Sequence, residues 1–154
     1  MAKIDKTAAV VGSGSRYPAP FDVPCRARSW RRLGDVAGLT AFGVNEVVLA
    51  PGVWSSQRHW HSHEDEFVYV LDGEVVLVTD AGEEILHAGD CAGFKAGDRN
   101  GHCLQNRTNR EAKILVVGSR HEDDHGEYPD IDLVFTAGRY ADKGEYRHKD
   151  GSPY

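Results

Sequence analysis

Residues 51–74 read PGVWSSQRHWHSHEDEFVYVLDGE. Three histidines and three carboxylates lie within the eight residues from His59 to Glu66. Successive side chains of a β-strand point to opposite faces, so His59 and His61 project to the same side. Imidazole nitrogens bind a divalent transition metal at about 2.0–2.1 Å. This His-x-His pair therefore predicts half of a metal site.

Glu66 has the opposite parity to both histidines. It can join them only if residues 62–65 form a loop that restarts the strand register, and this polar tetrapeptide is suited to a loop. His63 offers a rival pair with His61, but only two residues then separate it from Glu66, which is too few to reverse the parity. We therefore expect His63 to face solvent or to guide the loop, and we expect Glu64 and Asp65 to be surface carboxylates.

Short runs of β-forming residues continue along the chain, and turn-forming pairs such as Asp72-Gly73 separate them. No part of this region repeats apolar residues at i, i+3, i+4 and i+7 over three turns, which excludes a helix-turn-helix or a doubly wound sheet. The pattern predicts an all-β sandwich or small barrel. We expect strands over Leu39–Phe42, Glu46–Ala50, Ser56–His61, Glu66–Leu71, Glu74–Thr79, Glu84–His87, Cys91–Phe94, His102–Gln105 and Ala112–Val117.

The length of 154 residues is that of a single domain. The chain has 18 Lys and Arg against 24 Asp and Glu, and the net charge of -6 argues against binding to nucleic acid or to an anionic membrane. The longest apolar run, Phe67 to Leu71, has five residues, far short of the about 20 that span a bilayer. The N-terminal apolar run is too short for a secretion signal. We therefore expect a cytoplasmic protein with a small-molecule ligand.

Composition divides the chain into three parts. Residues 1–38 have little periodicity and predict an N-terminal arm, and residues 39–118 predict the barrel. Residues 119–154 predict a C-terminal arm that packs on the barrel and adds one or two strands. Residues 121–125 read HEDDH, which leaves two interpretations open, a second metal site and a solvated loop.

The motifs resemble those of the cupin superfamily, small jelly-roll barrels (double-stranded β-helices) that hold a metal ion in the barrel interior. The first motif is His59-x-His61-x4-Glu66-x6-Gly73, and the second lies in GDCAGFKAGDRNGHCLQN, residues 89–106. The chain is similar to a group of small, single-domain bacterial cupins. The resemblance implies a cupin-type barrel with N- and C-terminal arms.

The resemblance also implies a ligand set and a cofactor. The cofactor is one divalent transition metal per chain, which can be Fe, Mn, Ni, Cu or Zn. Two positions in the second motif depart from the family pattern, because Lys95 replaces the usual proline and the histidine comes two residues late. The implied metal ligands are His59, His61, Glu66 and His102.

Three imidazoles and a carboxylate suit borderline ions and leave coordination positions open for a substrate oxygen. We therefore expect an enzyme that uses the metal as a Lewis acid on a sugar-like, keto or hydroxy acid metabolite, as an isomerase, epimerase or lyase. A metal-dependent dioxygenase and a non-catalytic metabolite- or metal-binding module are the alternatives.

Two further features near the motifs concern the binding of a substrate. Gln57 shares the face of the His-x-His pair, where it either orients a substrate or has a structural role. A basic cluster able to bind a phosphate is not evident, because the cations near the motifs are scattered along the chain: Arg58, Lys95, Arg99 and Arg107.

Two expected strands are apolar on both faces, Phe67–Leu71 and Ile114–Val117. The interior of a barrel covers only one face of each strand. A second subunit or the terminal arms must cover the other face, and we predict a homodimer.

Overall fold

The computed structural model describes residues 3–154, so the first two residues of the predicted N-terminal arm lie outside it. The described part contains one short α-helix, Leu33–Val36 (α1), and 3-10 turns at Lys6–Ala8, Val23–Cys25 and Arg139–Ala141. No helix in residues 3–154 is long and apolar enough to cross a membrane. The strands are Val11–Ser13 (β1), Ser29–Arg32 (β2), Phe42–Leu49 (β3), Trp60–His61 (β4), Glu66–Asp72 (β5), Glu74–Thr79 (β6), Gly82–His87 (β7), Cys91–Phe94 (β8), Cys103–Gln105 (β9), Ala112–Ser119 (β10), Gly126–Tyr128 (β11), Leu133–Phe135 (β12) and Tyr146–Arg147 (β13).

The strands form two facing walls, and the assigned pairs are antiparallel. One wall is a six-stranded sheet in the order β1-β2-β3-β10-β5-β8. The other wall consists of the sheets β7-β6-β9 and β13-β12-β11-β4. Isolated bridges from Trp54 to Gln105 and from His59 to His102 join these two sheets. The expected all-β jelly-roll barrel is confirmed.

The apolar core lies between the two walls. Val68, Val70 and Ile114 point inward from the six-stranded sheet and are fully buried. Val75 and Leu104 meet them from the facing wall. Each buried side chain of this size stabilises the fold by about 1.5–3 kcal/mol relative to its exposed state. Alternation along β5 therefore places one apolar face in the core and leaves the other outside.

The strands differ from those predicted at several boundaries and in number. β3 is one continuous strand from Phe42 to Leu49, because β10 pairs with it along its whole length. The strand expected over 56–61 is present only at Trp60–His61, because residues 56–58 form bends. No strand is predicted before residue 39, yet β1 and β2 extend the sheet beyond β3. Such short segments become strands because a partner edge is available, a tertiary effect that local composition does not reveal.

Asn106 closes the second motif and connects the barrel with the turn after β9. It is fully buried. Its side-chain amide donates to the carbonyl oxygens of Leu49 at 2.8 Å and Arg110 at 2.7 Å. Its carbonyl oxygen accepts from the backbone N–H and the hydroxyl of Thr108 at 3.0 and 2.8 Å. This one side chain therefore satisfies polar groups of the end of β3 and of the turn after β9.

We predict that Asn106→Ala lowers the free energy of unfolding by about 2–4 kcal/mol, because it leaves buried polar groups without partners. Urea denaturation measures this change. Asn109→Ala is the matched control, because Asn109 is exposed in the same turn, and its effect should stay within about 0.5 kcal/mol. An equally small effect for Asn106→Ala would show that the network does not stabilise the barrel.

Candidate metal centre

The loop between β4 and β5 brings two histidines and a glutamate to one place. β4 ends at His61, residues 62–65 form a loop, and β5 begins on Glu66. The loop restarts the alternation of side chains, so Glu66 points to the same space as His59 and His61. One ligand atom from each of these three residues lies within 4.8 Å of the other two.

His102 reaches the same space from the second motif. Its backbone N–H donates to the backbone carbonyl of His59 at 2.9 Å, and the backbone N–H of His59 donates to the backbone carbonyl of His102 at 3.1 Å. Nε2 of His102 lies 3.6 Å from Oε2 of Glu66. Phe94 stacks on the His102 ring with centroids 3.5 Å apart. The structure therefore brings together the four residues that the family resemblance implies as ligands.

The ring orientations of His59 and His61 direct one nitrogen of each toward the other. Nδ1 of His59 lies 2.9 Å from the carbonyl oxygen of Gln57, and Nδ1 of His61 lies 2.8 Å from Oδ2 of Asp124. Both oxygens are acceptors, so each Nδ1 carries the proton. The lone pairs of the two Nε2 atoms then face each other at 3.1 Å.

Two facing lone pairs need a cation between them, either a proton on one nitrogen or a metal ion. A proton joins only two groups, whereas the carboxylate of Glu66 also lies 3.7 Å from Nε2 of His61. His102 is 2% exposed, and neither ring nitrogen has a hydrogen-bond partner among residues 3–154. A buried imidazole without partners is costly. A metal ion would bind the two Nε2 atoms and the Glu66 carboxylate together, and His102 lies beside Glu66 as a fourth donor, so the donor set fits a metal.

The electrostatics of the cluster favour the protonation states that bind metals. Burial, and then the neighbouring His102 and His61, hold the pKa of His59 well below its usual value. Burial acts to raise the pKa of Glu66, but the interactions with the surrounding imidazoles outweigh it and lower that pKa to about 2. At neutral pH the cluster therefore offers a neutral imidazole at His59 and a carboxylate at Glu66.

A cavity of about 280 Å³ opens beside the cluster. This volume is near the lower end of the about 300–1,000 Å³ typical of ligand pockets, which suits a small metabolite. His61 and His102 form part of its lining. The other lining residues combine apolar and hydrogen-bonding side chains: Trp60, Glu64, Leu77, Thr79, Ala92, Gly93, Phe94, Lys95, Asp98 and Asn100.

Two residues near the cluster have contacts that bear on their expected roles. Gln57 is almost buried, and its side-chain amide donates to the carbonyl of Phe21 at 2.6 Å. Gln57 is not among the residues that line the cavity, so its contact with Phe21 favours the structural role. His63 is exposed, as predicted, and its ring stacks on His121 with centroids 4.9 Å apart.

Two buried carboxylates beside the cluster were missed. Glu64 was expected at the surface, but it is 6% exposed, because Arg139 and Tyr140 from the C-terminal part of the chain contact it. Asp124, within the HEDDH segment, is 1% exposed. The solvated-loop interpretation is therefore wrong for Asp124. Its partner His61 lies 63 positions away, a separation that no local motif reveals.

The four cations near the motifs have different environments. Arg58 forms ion pairs with Asp80 and Asp130, and Arg107 forms one with Glu83 at 2.6 Å. Of the two remaining cations, Lys95 lines the cavity and Arg99 contacts one of its lining residues. Arg99 packs over the ring of Trp60 at 5.4 Å, and Lys95 is exposed and lines the cavity.

Comparison with known proteins gives a family and a closely similar structure. The family model described as "Cupin domain" matches residues 45–118. A crystal structure from Silicibacter pomeroyi, described as a sugar phosphate isomerase from a cupin superfamily, is 44% identical in sequence. The alignment covers 99% of this chain and 96% of that chain, with a TM-score of 0.94. No protein with a curated description matches.

Two more distant structures share the fold. One, from Acidithiobacillus ferrooxidans and described provisionally as a sugar phosphate isomerase, is 26% identical, with a TM-score of 0.74 over 83% of this chain and 80% of that chain. The other, the polyketide cyclase RemF from Streptomyces resistomycificus, is 23% identical, with a TM-score of 0.61 over 77% of this chain and 79% of that chain. At 23% identity, the similarity to RemF supports only the shared fold.

We predict that His61→Ala abolishes stoichiometric binding of a divalent metal, because it removes one of the converging Nε2 atoms. Elemental analysis after dialysis of the full chain against Zn²⁺ measures the ion content. His63→Ala is the matched control and should keep one ion per chain, since His63 is exposed and stacks on His121. Equal metal content in the two variants would contradict the site.

The contribution of His102 has its own test. We expect His102→Ala to weaken Zn²⁺ binding by at least about tenfold in competition with a chelator, as loss of a direct ligand does. His87→Ala is its control, because His87 is an exposed histidine on β7. Unchanged affinity in His102→Ala would reduce the site to the other three residues.

Proposed function

The chain belongs to the cupin superfamily, and on this basis we propose that it is a metal-dependent isomerase of a small phosphorylated sugar. The observation that carries the proposal is the convergence of three imidazoles and a carboxylate at the side of a cavity of about 280 Å³. The similarity to the Silicibacter pomeroyi protein supports the reaction class. The ligands proposed for the ion are His59, His61, Glu66 and His102.

A bound divalent ion would polarise a substrate carbonyl and increase the acidity of the neighbouring C–H bond. The protein itself supplies binding and orientation. Trp60, Leu77 and Phe94 line the cavity with apolar surface that a carbon skeleton can pack against, and Thr79 and Asn100 add polar groups for hydroxyls. The side chains of Asn100 and Thr79 also accept hydrogen bonds from the backbone N–H groups of Asp80 and Ala81, which hold both side chains in place.

Lys95 is the residue we assign to the phosphate group. It lines the cavity and is exposed, whereas Arg58 and Arg107 are held by carboxylates of their own. An ammonium group at the rim of the cavity can pair with a phosphate while the sugar end reaches the metal centre.

The test is an assay of the metal-loaded full chain for aldose–ketose interconversion over a panel of sugar phosphates. We expect turnover that His59→Ala abolishes. We expect Lys95→Gln to raise KM by about tenfold or more with little change in kcat, as loss of a uniform binding contact does. Lys113→Gln is the matched control, because Lys113 lies on β10, away from the cavity lining.

Two outcomes would contradict this proposal. Oxygen consumption without isomerisation would instead favour a dioxygenase. Saturable binding of sugar phosphates without conversion would favour a non-catalytic binding module.

A homodimer is the assembly we propose. Phe67, Tyr69 and Leu71 are about 40% exposed on the outer face of β5, and Leu115 and Val117 of β10 pair beside them. A contiguous apolar patch at the middle of a sheet is typical of a protein interface. A second copy of the chain offers the same surface, as a two-fold interface requires.

Light scattering coupled to size exclusion tests the dimer. We expect a mass of twice the chain mass of 17.0 kDa, and Tyr69→Glu should shift it to the monomer because a charge would be buried at the interface. Ile85→Glu is the control, since Ile85 is 55% exposed on the opposite wall and should leave the dimer intact. A wild-type mass of 17.0 kDa would contradict the proposal.

A further inference from the structure

A second group of potential ligands adjoins the metal centre. His61, Glu64 and Asp124 each offer one ligand atom within 4.8 Å of the others. A cation already contacts both carboxylates, because the guanidinium of Arg139 binds Glu64 and lies 2.9 Å from Oδ2 of Asp124. The group is therefore an ion-pair network, and its connection to the metal centre is His61.

Asp124 holds His61 from the side opposite to the converging nitrogens. Its Oδ2 accepts from Nδ1 of His61 at 2.8 Å, and its Oδ1 accepts the backbone N–H of His63 at 2.9 Å. The carboxylate is 1% exposed. With contacts on both oxygens and Arg139 beside it, the carboxylate has little freedom to turn.

The backbone places Asp124 at this position. β11 pairs with β4, so that Gly126 lies opposite His61. A Cβ atom on Gly126 would lie 2.0 Å from the carbonyl oxygen of Trp60, so only glycine permits this close approach. The backbone N–H of Ser62 donates to the carbonyl of His125 at 2.9 Å, and the N–H of His125 donates to the Ser62 hydroxyl at 2.9 Å.

A carboxylate on Nδ1–H of a metal-binding histidine fixes its tautomer and ring orientation and increases the basicity of Nε2. We propose that Asp124 is the positioning residue of the metal centre, holding His61 with Nε2 directed at the ion. This inference rests on the metal centre proposed above and adds a residue outside the segment 45–118 that the family model matches.

The experiment measures Co²⁺ binding to the metal-free full chain by competition with a chromophoric chelator, together with the visible absorption of the bound Co²⁺. We expect Asp124→Asn to weaken binding by about 10–100-fold and to shift the Co²⁺ absorption bands, which a purely structural role would not do. Thermal unfolding of the metal-free variant checks that it folds.

Asp132→Asn is the matched control. Asp132 also accepts from a histidine Nδ1, that of His148 at 2.7 Å, and from a backbone N–H, that of Lys149 at 2.8 Å. This pair lies at the surface and does not touch the cluster. Its loss should leave the Co²⁺ affinity and spectrum unchanged.

The outcomes separate the two proposals. If wild type binds no Co²⁺ at a site that His59→Ala removes, the metal centre is wrong and the positioning role is wrong with it. If wild type binds Co²⁺ and Asp124→Asn binds it with the same affinity and spectrum, only the role of Asp124 is wrong.

If Asp124→Asn fails to fold, a measurement on the wild-type protein still tests the inference. Long-range ¹H–¹⁵N spectra of the metal-free wild type report which ring nitrogen of a histidine carries the proton. We expect His61 to carry it on Nδ1. A proton on Nε2 alone would overturn the inference.

Discussion

The candidate metal centre depends on two imidazole nitrogens that face each other, Nε2 of His59 and Nε2 of His61, 3.1 Å apart. Each ring is turned this way because an oxygen acceptor holds its Nδ1–H on the far side. The arrangement requires a cation, and the carboxylate of Glu66 lies beside the same space. The ring of His102, which has no hydrogen-bond partner among residues 3–154, lies next to Glu66. The strands, the loop at 62–65 and the turn network around Asn106 hold these four side chains in place.

The segments outside the two motifs complete this interior. The carbonyl of Gln57 orients His59, and the side chain of Gln57 is in turn held by Phe21 from the N-terminal part of the chain. From the C-terminal part, Tyr128 stacks on the ring of His59 with centroids 5.7 Å apart. Both terminal parts of the chain therefore contact the residues around the histidine cluster.

Local patterns were sufficient to predict the part of the site that depends on strand parity. Alternation identified His59 and His61, and the polar tetrapeptide at 62–65 correctly indicated a change of register before Glu66. The burial of Glu64 could not be predicted in this way, because Arg139 contacts it from 75 positions away. The same holds for β1 and β2, whose pairing with β3 is a tertiary contact.

An anomalous difference map from a crystal of the full chain grown with Zn²⁺ shows directly whether the four side chains bind an ion. We expect a peak in the barrel interior, within about 2.0–2.2 Å of the Nε2 atoms of the three histidines and of a Glu66 oxygen. Peaks confined to surface groups such as His121 and His125, with the space between His59 and His61 free of metal, would contradict the proposed metal centre.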